Sequence, residues 1–460
     1  MNTKDYETIE ALLPHIGNNM YQLMERLFPI CRSITGNGVR ETLQIISEQI
    51  PLQIHEVPSG TKVFDWNIPN EWNVNDAYII SPNGKKIAEF KKSNLHILQY
   101  SKPIKEKISF DELKNHIYTL PAQPDVIPYC TTFYNENWGF CMTHNDFLQL
   151  EKGGYDIVID SSLKKGSLTY GEYFLEGKSK QEVVITCYVC HPSMCNDNLS
   201  GVVLTTLLGK HLTQIQRKYS FRFLFIPETI GSITWLSLNE GNLKKIQHGI
   251  VATCIGDPGK TTYKRSREGN NPVDLVAEKV LKESGEPYQI RDFVPVGGDE
   301  RQFCSPGFNL PFGSLMRTPY FDFPEYHTSA DNLDFVKKEN LENSFLKFLS
   351  IISELEKNNF QTNNSSKKSK KNIHTNSATF LNLLPKCEPQ LGKRGLRAHI
   401  GAAKNITEFN LAILWILNQS DGMHSLQDIK KRSDLDYDLL LKVADLLEEK
   451  KLLSKVEFEG

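Results

Sequence analysis

The sequence predicts an α/β fold: a doubly wound, mostly parallel sheet with a small inserted β-rich domain and a C-terminal winged-helix domain. Three observations predict it. Strand-like and helical runs alternate between residues 171 and 356, short strand-like segments with turn signals fill 52–170, and three helical patterns follow a polar stretch at 357–377. Alternation of strands and helices implies a parallel sheet with helices on both faces.

Length and composition limit the class of protein. A chain of 460 residues is too long for one ordinary core, so two or three domains are expected. The 53 Lys and Arg residues balance 55 Asp and Glu residues, which gives no reason to expect nucleic acid or an anionic membrane as the main partner. The polar N-terminus lacks the apolar run of a signal peptide, and nine thinly spread cysteines favour reduced thiols. We therefore expect a cytoplasmic protein without a membrane span.

The larger domain is predicted to comprise residues 1–51 and 171–356. In the first part, "MYQLMERLFPI" and "VRETLQIISEQI" carry apolar residues at helical spacing. The inserted domain, 52–170, contains alternating segments such as "AYIISPNGKKIAEF" that are broken by turn residues. Trp66 and Trp72 of this insertion are predicted to pack its core, although a carbohydrate contact is the alternative.

The second part of the larger domain supplies the strands of the sheet. We predict strands at 182–189 ("EVVITCYV"), 219–227 ("YSFRFLFIP") and 248–257 ("HGIVATCIGD"). Helical patterns separate them, in "LSGVVLTTLLGKHL" (199–212) and in "SITWLSLN". This order is typical of a parallel sheet.

The C-terminal segment, 378–460, predicts three short helices and a β-like tail, the order of a winged-helix domain. The linker before it, 357–377, is rich in Asn, Ser and Lys. Because "DLLEEKK" mixes acidic and basic residues, we do not expect this domain to bind nucleic acid. We expect it to contact a protein partner, to form a homo-oligomer or to pack on the rest of the chain.

Three cysteines lie within the stretch "TCYVCHPSMCNDNLSG". Cys187 and Cys190 form a C-x-x-C pair, which by itself indicates zinc or redox chemistry. However, no second pair follows, strand alternation would place the two side chains on opposite faces, and Cys195 has no partner at ligand spacing. We therefore interpret these cysteines as small buried apolar side chains.

Polar residues follow the predicted strands where each one ends. His191 and Asp197 come after the first strand, Glu228 after the second and Asp257 after the third, while His327 lies in the later loop "PEYHTSADNLDF". Ligands of open parallel sheets bind outside the carboxyl ends of the strands, and imidazole and carboxylate groups are zinc ligands. Each residue alone has an ordinary explanation, such as a helix cap. Together they predict a metal site.

The motifs around these residues resemble a known family. "HPSMCNDNLSGV", "FIPETIGS", "IGDPG" and "FPEYHTS" resemble, in order, the metal-site motifs of the M28-type zinc aminopeptidases. More closely, the chain is similar to the bacterial aminopeptidase-like branch that carries an inserted β domain and a C-terminal winged helix. That branch is associated with polysaccharide or secondary-metabolite gene clusters. The resemblance covers nearly the whole chain and implies a zinc aminopeptidase-like fold.

The resemblance also implies a role for each matched position. His191 matches the first metal-binding histidine, and Asp197 matches the aspartate that bridges two zinc ions. Glu228 matches the general base. Asp257 matches a later aspartate ligand, and His327 matches the last histidine ligand.

Two features depart from the family pattern. His191 and Asp197 lie closer together in the sequence than in M28 peptidases. The metal-binding glutamate that normally follows the base is Thr229, and a neutral hydroxyl is a poor zinc ligand. We therefore expect one tightly held zinc ion, bound by His191, Asp197 and His327. Asp257 is expected to be a fourth ligand or to orient the other ligands.

The implied chemistry is hydrolysis of a peptide or amide bond by metal-activated water, with Glu228 as base. The expected partner is therefore a peptide or an amide-containing small molecule. Arg301, Arg317 and Glu325 are candidate substrate-binding residues, although structural ion pairs explain the arginines equally well. The alternative is a catalytically weak metal-binding module with a regulatory or interaction role in polysaccharide or secondary-metabolite biosynthesis, which Thr229 favours.

Overall fold

A computed structural model describes residues 15–357, 377–396 and 406–457 of the chain. The predicted linker lies outside the described residues except at its two ends. The β-strands are β1 (Gln53–Pro58), β2 (Lys62–Val63), β3 (Trp66–Asn67), β4 (Glu71–Ile80), β5 (Lys86–Ile87), β6 (Ile104–Ser109), β7 (Ile117–Tyr118), β8 (Phe140–Cys141), β9 (Gly154–Lys164), β10 (Ser167–Leu175), β11 (Glu182–Tyr188), β12 (Ser220–Ile226), β13 (Ile246–Ala252), β14 (Thr261–Lys264), β15 (Tyr288–Arg291), β16 (Phe312–Met316), β17 (Thr379–Asn382), β18 (Asp421–Ser425) and β19 (Leu453–Lys455). The α-helices are α1 (Ile16–Leu27), α2 (Asn37–Ser47), α3 (Phe110–Leu113), α4 (His144–Leu148), α5 (Ser200–Leu212), α6 (Ile230–Asn239), α7 (Pro272–Glu283), α8 (Glu300–Phe303), α9 (Lys338–Lys357), α10 (Glu408–Gln419), α11 (Leu426–Ser433) and α12 (Tyr437–Glu449).

The centre of the molecule is an eight-stranded mixed sheet in the order β1-β10-β12-β11-β13-β16-β14-β15. Its middle four strands, β12, β11, β13 and β16, run parallel, whereas β1, β10 and β14 join antiparallel neighbours. The predicted α/β fold is confirmed. The third predicted strand ends earlier than expected, at Ala252, so Asp257 lies in the following loop and not at the strand end.

Strand β11 separates two apolar cores. All seven of its residues are buried, as expected for a strand covered on both faces. Val183, Ile185 and Cys187 belong to the core on the side of α1, α5 and α9. Tyr188 and Cys190 belong to the core on the other side, which contains α6 and side chains of the insertion. The two cysteines therefore point to opposite faces, as strand alternation predicts.

The inserted part of the chain has a sheet of its own, in the order β5-β4-β9-β6. Trp66 and Trp72 are buried, and their indole N–H groups donate to the carbonyl oxygens of Glu388 and Ser101. The structure places residues 53–58 in the central sheet, where β1 pairs with β10. A boundary at residue 52 therefore assigns this strand to the wrong sheet. The reason is that an edge strand with one exposed face has the same alternating pattern as a strand of the insertion.

The C-terminal part contains the three-stranded sheet β18-β17-β19 and helices α10, α11 and α12 around a separate apolar core. Polar contacts attach it to the larger domain. Arg267 donates to Asp421 at 2.8 Å and to Asn418 at 3.2 Å, and the Asn418 side chain donates to the Cys304 carbonyl. Within the described ranges, no helix combines the length and apolar character needed to cross a bilayer.

Candidate metal centre

Four polar side chains meet at the carboxyl ends of β11 and β12. The Asp197 Oδ2 atom lies 3.1 Å from His327 Nε2 and 3.7 Å from His191 Nε2. Glu228 Oε2 lies 3.8 Å from His191 Nε2. The histidines and Asp197 are buried, whereas the Glu228 side chain is 29% exposed. The structure thus brings together three predicted metal ligands and the predicted base.

Asp331 fixes the turn that carries Asp197. One oxygen of its carboxylate accepts the backbone N–H groups of Cys195 at 3.1 Å and Asn196 at 2.6 Å, and the other accepts that of Asp197 at 2.9 Å. Burial raises the pKa of Asp331 to about 8, while these three donors act in the opposite direction. Asp331 therefore couples the loop of His327 to the turn of Asp197.

Further contacts fix the two ligands that follow β11. The Tyr188 hydroxyl donates to Asp197 Oδ1. The buried Arg32 guanidinium donates to the carbonyl oxygens of His191 at 2.8 Å and Pro192 at 3.0 Å. Burial lowers the pKa of His191 to about 4, so its imidazole is neutral at pH 7 and offers a lone pair.

The donor chemistry at this cluster fits zinc. The ligand atoms of His191, Asp197 and His327 all lie within 4.8 Å of one another. Ligands of a tetrahedral zinc ion, each about 2.1 Å from the metal, are about 3.4 Å apart. The measured separations of 3.1 and 3.7 Å lie on either side of that value. Two imidazoles and one carboxylate leave the fourth position for water, as in catalytic zinc sites.

Cys190, His191 and Glu228 form a second group of possible ligands. The buried Cys190 sulfur accepts the backbone N–H of Glu228, and burial raises the pKa of its thiol well above the usual value. Cys190 is buried, as interpreted from the sequence, and it also borders the site.

Glu228 lies in a strongly acidic environment. Burial raises the pKa of its carboxyl well above the usual value, and the negative charges of Asp299 and Asp197 act in the same direction. A cation bound beside the carboxylate would oppose this shift. A raised pKa suits a group that must hold a proton during part of a reaction cycle.

Thr229, which stands where the family has a second glutamate, makes its own polar contacts. Its backbone adopts a φ of 63°, and its N–H donates to Asp299 Oδ1 at 2.8 Å. Its hydroxyl accepts a hydrogen bond from Arg301 at 3.0 Å. Ser232 donates to the same Asp299 oxygen at 2.7 Å.

Asp257 lies beside the cluster but is absent from both groups of possible ligands found in the described chain. Its carboxylate accepts the side-chain N–H of Asn196 at 3.1 Å and the backbone N–H groups of Gly259 at 2.7 Å and Thr318 at 3.1 Å. Asp257 thus holds the residue next to Asp197, and its role as a fourth ligand or as an orienting group stays a prediction.

The three candidate substrate-binding residues do not join the cluster. Arg301 is buried and pairs with Glu388, and it donates to the hydroxyl of Thr229, the residue after Glu228. Arg317 donates to Asn343 at 3.2 Å, and burial lowers the pKa of its guanidinium. Glu325 is partly exposed in the loop before His327.

Residues 21–358 match the family described as "Domain of unknown function (DUF4910)". The chain belongs to this family. Residues 378–455 match the winged helix-turn-helix family, in agreement with the predicted C-terminal domain. A protein from Clostridium acetobutylicum named "Putative polysaccharide biosynthesis protein with aminopeptidase-like domain" is 51% identical over 440 residues, which cover 96% of this chain and 97% of that protein.

Solved structures support the resemblance to M28-type zinc aminopeptidases. The crystal structure of a "putative peptidase" from Clostridium acetobutylicum has 49% identity and a TM-score of 0.75, and the match covers 98% of this chain and 100% of that one. A zinc aminopeptidase from Bacillus subtilis has 13% identity and a TM-score of 0.55, over 74% of this chain and 94% of that one. A Peptidase M28 precursor from Shewanella amazonensis has 13% identity and a TM-score of 0.51, over 76% and 96%. The DUF4910 chain therefore has the M28 aminopeptidase fold.

Proposed function

We propose that the chain is a zinc-dependent hydrolase that cleaves a peptide or amide bond. The observation that carries the proposal is the arrangement of Glu228 beside three buried zinc-type donors, with its Oε2 atom 3.8 Å from His191 Nε2. The aminopeptidase fold supports the same reaction class. The name of the Clostridium relative supports an amide or N-acyl group of a polysaccharide precursor as a substrate, besides peptides.

The proposal gives each residue of the cluster a role. Zinc held by His191, Asp197 and His327 would supply Lewis-acid activation of water and of the substrate carbonyl. Glu228 takes the proton of the attacking water and passes it to the leaving amine. Asp331 holds the Asp197 turn in place throughout.

A second candidate function is a metal-binding module with little activity that regulates polysaccharide or secondary-metabolite biosynthesis. Thr229 in place of a metal-binding glutamate favours it. The contact between Arg301 and Glu388 also favours it, because Arg301 touches Thr229 while Glu388 lies within the C-terminal winged-helix match. That contact would connect the metal site to the C-terminal domain.

The two functions are separated by measuring metal content and amide hydrolysis on the full chain. We expect wild-type protein to carry zinc and to hydrolyse members of a panel of aminoacyl, peptidyl and N-acylamino-sugar amides. Glu228→Gln should keep its zinc and lose about 10²–10⁴-fold in turnover. Glu48→Gln, which changes a surface ion pair with Arg26, is the matched control. Full zinc occupancy with no hydrolysis across the panel would favour the regulatory module.

A further inference from the structure

A short segment of the insertion, residues 127–129, runs along the loop of His327. The backbone N–H of Tyr129 donates to the His327 carbonyl at 2.9 Å. The Ser329 N–H donates to the Ile127 carbonyl at 2.9 Å, and the Ile127 N–H donates to the Ser329 hydroxyl at 3.0 Å. Main-chain bonds of this kind fix the position of the segment closely. The insertion is therefore attached directly to a loop that carries a metal ligand.

This attachment places the ring of Tyr129 against both histidines. Its centroid lies 5.3 Å from that of His191 and 5.1 Å from that of His327, with the second pair at an interplanar angle of 89°. Tyr129 is 2% exposed. Tyr129 thus forms a wall of the site, and this wall comes from the insertion and not from the central sheet.

The Tyr129 hydroxyl is buried and has no hydrogen-bond partner among the described residues. Buried tyrosine hydroxyl groups normally have one, since an unpaired buried polar group is destabilising. The neighbouring Tyr188 shows the usual arrangement, because its hydroxyl contacts Asp197 and Thr253. A hydroxyl left unpaired at the wall of a reactive site is available to a bound molecule.

The chemistry of the phenol indicates what the Tyr129 hydroxyl can do. A tyrosine phenol has an ordinary pKa of about 10, so it keeps its proton at neutral pH and is a hydrogen-bond donor. The Tyr129 ring contacts both His191 and His327, and its unpaired hydroxyl is therefore part of the wall that a substrate bound at this cluster would meet.

We propose that Tyr129 is a catalytic residue that the insertion supplies, and that its hydroxyl donates a hydrogen bond to the carbonyl oxygen of the substrate amide as negative charge develops there. This inference rests on the proposed hydrolase function. The phenol keeps its own proton, while the proton of the attacking water goes to Glu228 and then to the leaving amine as the C–N bond breaks. Donors aimed at developing oxyanions contribute strongly to catalysis.

The test compares Tyr129→Phe with wild type in the full-length, zinc-loaded protein. The variant keeps the ring and removes only the hydroxyl. Acetohydroxamic acid is the probe, because it presents carbonyl and hydroxamate oxygens to zinc. Its affinity is measured by calorimetry, beside zinc content and melting temperature. Tyr78→Phe is the control, since Tyr78 lies in β4 of the same insertion with Lys86 over its ring.

We expect Tyr129→Phe to keep one zinc ion and an unchanged or higher melting temperature, but to bind the probe about tenfold or more weakly, as for loss of a hydrogen bond to a charged group. Tyr78→Phe should match wild type. If Tyr129→Phe and wild type bind the probe with equal affinity, the role of Tyr129 is overturned and the proposed hydrolase is not. Loss of zinc from Tyr129→Phe would also overturn this role, because it would indicate a structural function of the hydroxyl. Wild type that binds neither zinc nor the probe would overturn the proposed hydrolase and this inference with it.

Discussion

The Asp331 carboxylate accepts the backbone N–H of Asp197 at 2.9 Å, although the two residues are 134 positions apart in the chain. The same carboxylate also holds the backbone of Cys195 and Asn196. Because Asp331 shares a loop with His327, this interaction sets the spacing between two of the zinc-type donors. The geometry of the site therefore depends on a residue that belongs to neither group of possible ligands in the described residues.

Replacing Asp331 tests that dependence. Asp331→Asn replaces one acceptor oxygen with an NH2 group. This donor would then face the backbone N–H groups of the turn, which are donors themselves. We expect zinc affinity to fall about 10–100-fold, the usual loss when a residue that orients ligands is changed. Competition with a chromophoric chelator measures the affinity. Asp334→Asn changes an exposed aspartate of the same loop and should leave the zinc affinity unaltered. Equal losses of zinc affinity in both variants would contradict the role assigned to Asp331.

Position 229 tests the number of metal ions. We expect wild type to bind one zinc ion tightly, since Thr229 offers no charge to offset the desolvation of a second cation. Thr229→Glu should move the stoichiometry from one toward two in equilibrium dialysis. Thr229→Gln is the matched control, because it has the same length without the charge. A wild-type protein with two tightly bound zinc ions would show that another side chain replaces the missing glutamate.

The contact between Arg267 and Asp421 predicts an acid-sensitive attachment of the C-terminal domain. Burial acts to raise the pKa of Asp421, but hydrogen bonds from His424 and Arg267 prevail and hold it well below its usual range. A carboxyl with a lowered folded-state pKa stabilises the protein above its unfolded-state pKa of about 3.9, and this contribution is lost as pH falls below that value. Asp421→Asn should therefore unfold at lower urea than wild type at pH 7, with a smaller difference at pH 3. An equal difference at both pH values would contradict the assignment.

The winged-helix domain should bind random duplex DNA only weakly at physiological salt. Helix α12 carries Asp438, Asp445 and Glu448 among its residues, and the Arg432 side chain donates to the Arg267 carbonyl of the larger domain. No basic face is therefore concentrated on this helix. Fluorescence anisotropy with the full chain over a salt series measures the binding. Tight binding that weakens steeply with salt would contradict this expectation and favour a DNA-binding regulator.

The sequence predicted those parts of the site that follow strand ends. His191 and Glu228 come directly after β11 and β12, and parallel strands bring their carboxyl ends to one edge whatever the rest of the chain does. Tyr129 and Asp331 could not be found in this way, since their positions depend on long-range packing of the insertion against a loop. Asp331 did have one signal, because it lies four positions after His327.

The candidate substrate-binding residues show what the sequence leaves open. Arg301 and Arg317 lie in the right stretch of chain, but their partners, Glu388 and Asn343, come from distant segments. Charge and chain order alone do not distinguish a side chain that binds a substrate from one that forms a structural ion pair or hydrogen bond. The sequence alone also left the role of Asp257 open. The residue at which a strand ends depends on its neighbours in the sheet, and β13 ends at Ala252, before Asp257.

The central claim is that His191, Asp197 and His327 hold zinc beside Glu228. Its most direct test is a crystal of protein purified without chelators, with diffraction recorded on both sides of the zinc absorption edge. We expect one strong anomalous peak within bonding distance of all three side chains, and its loss in His327→Ala crystals that keep the central sheet unchanged. An anomalous map without a peak at this cluster, in crystals grown with zinc present, would contradict the account.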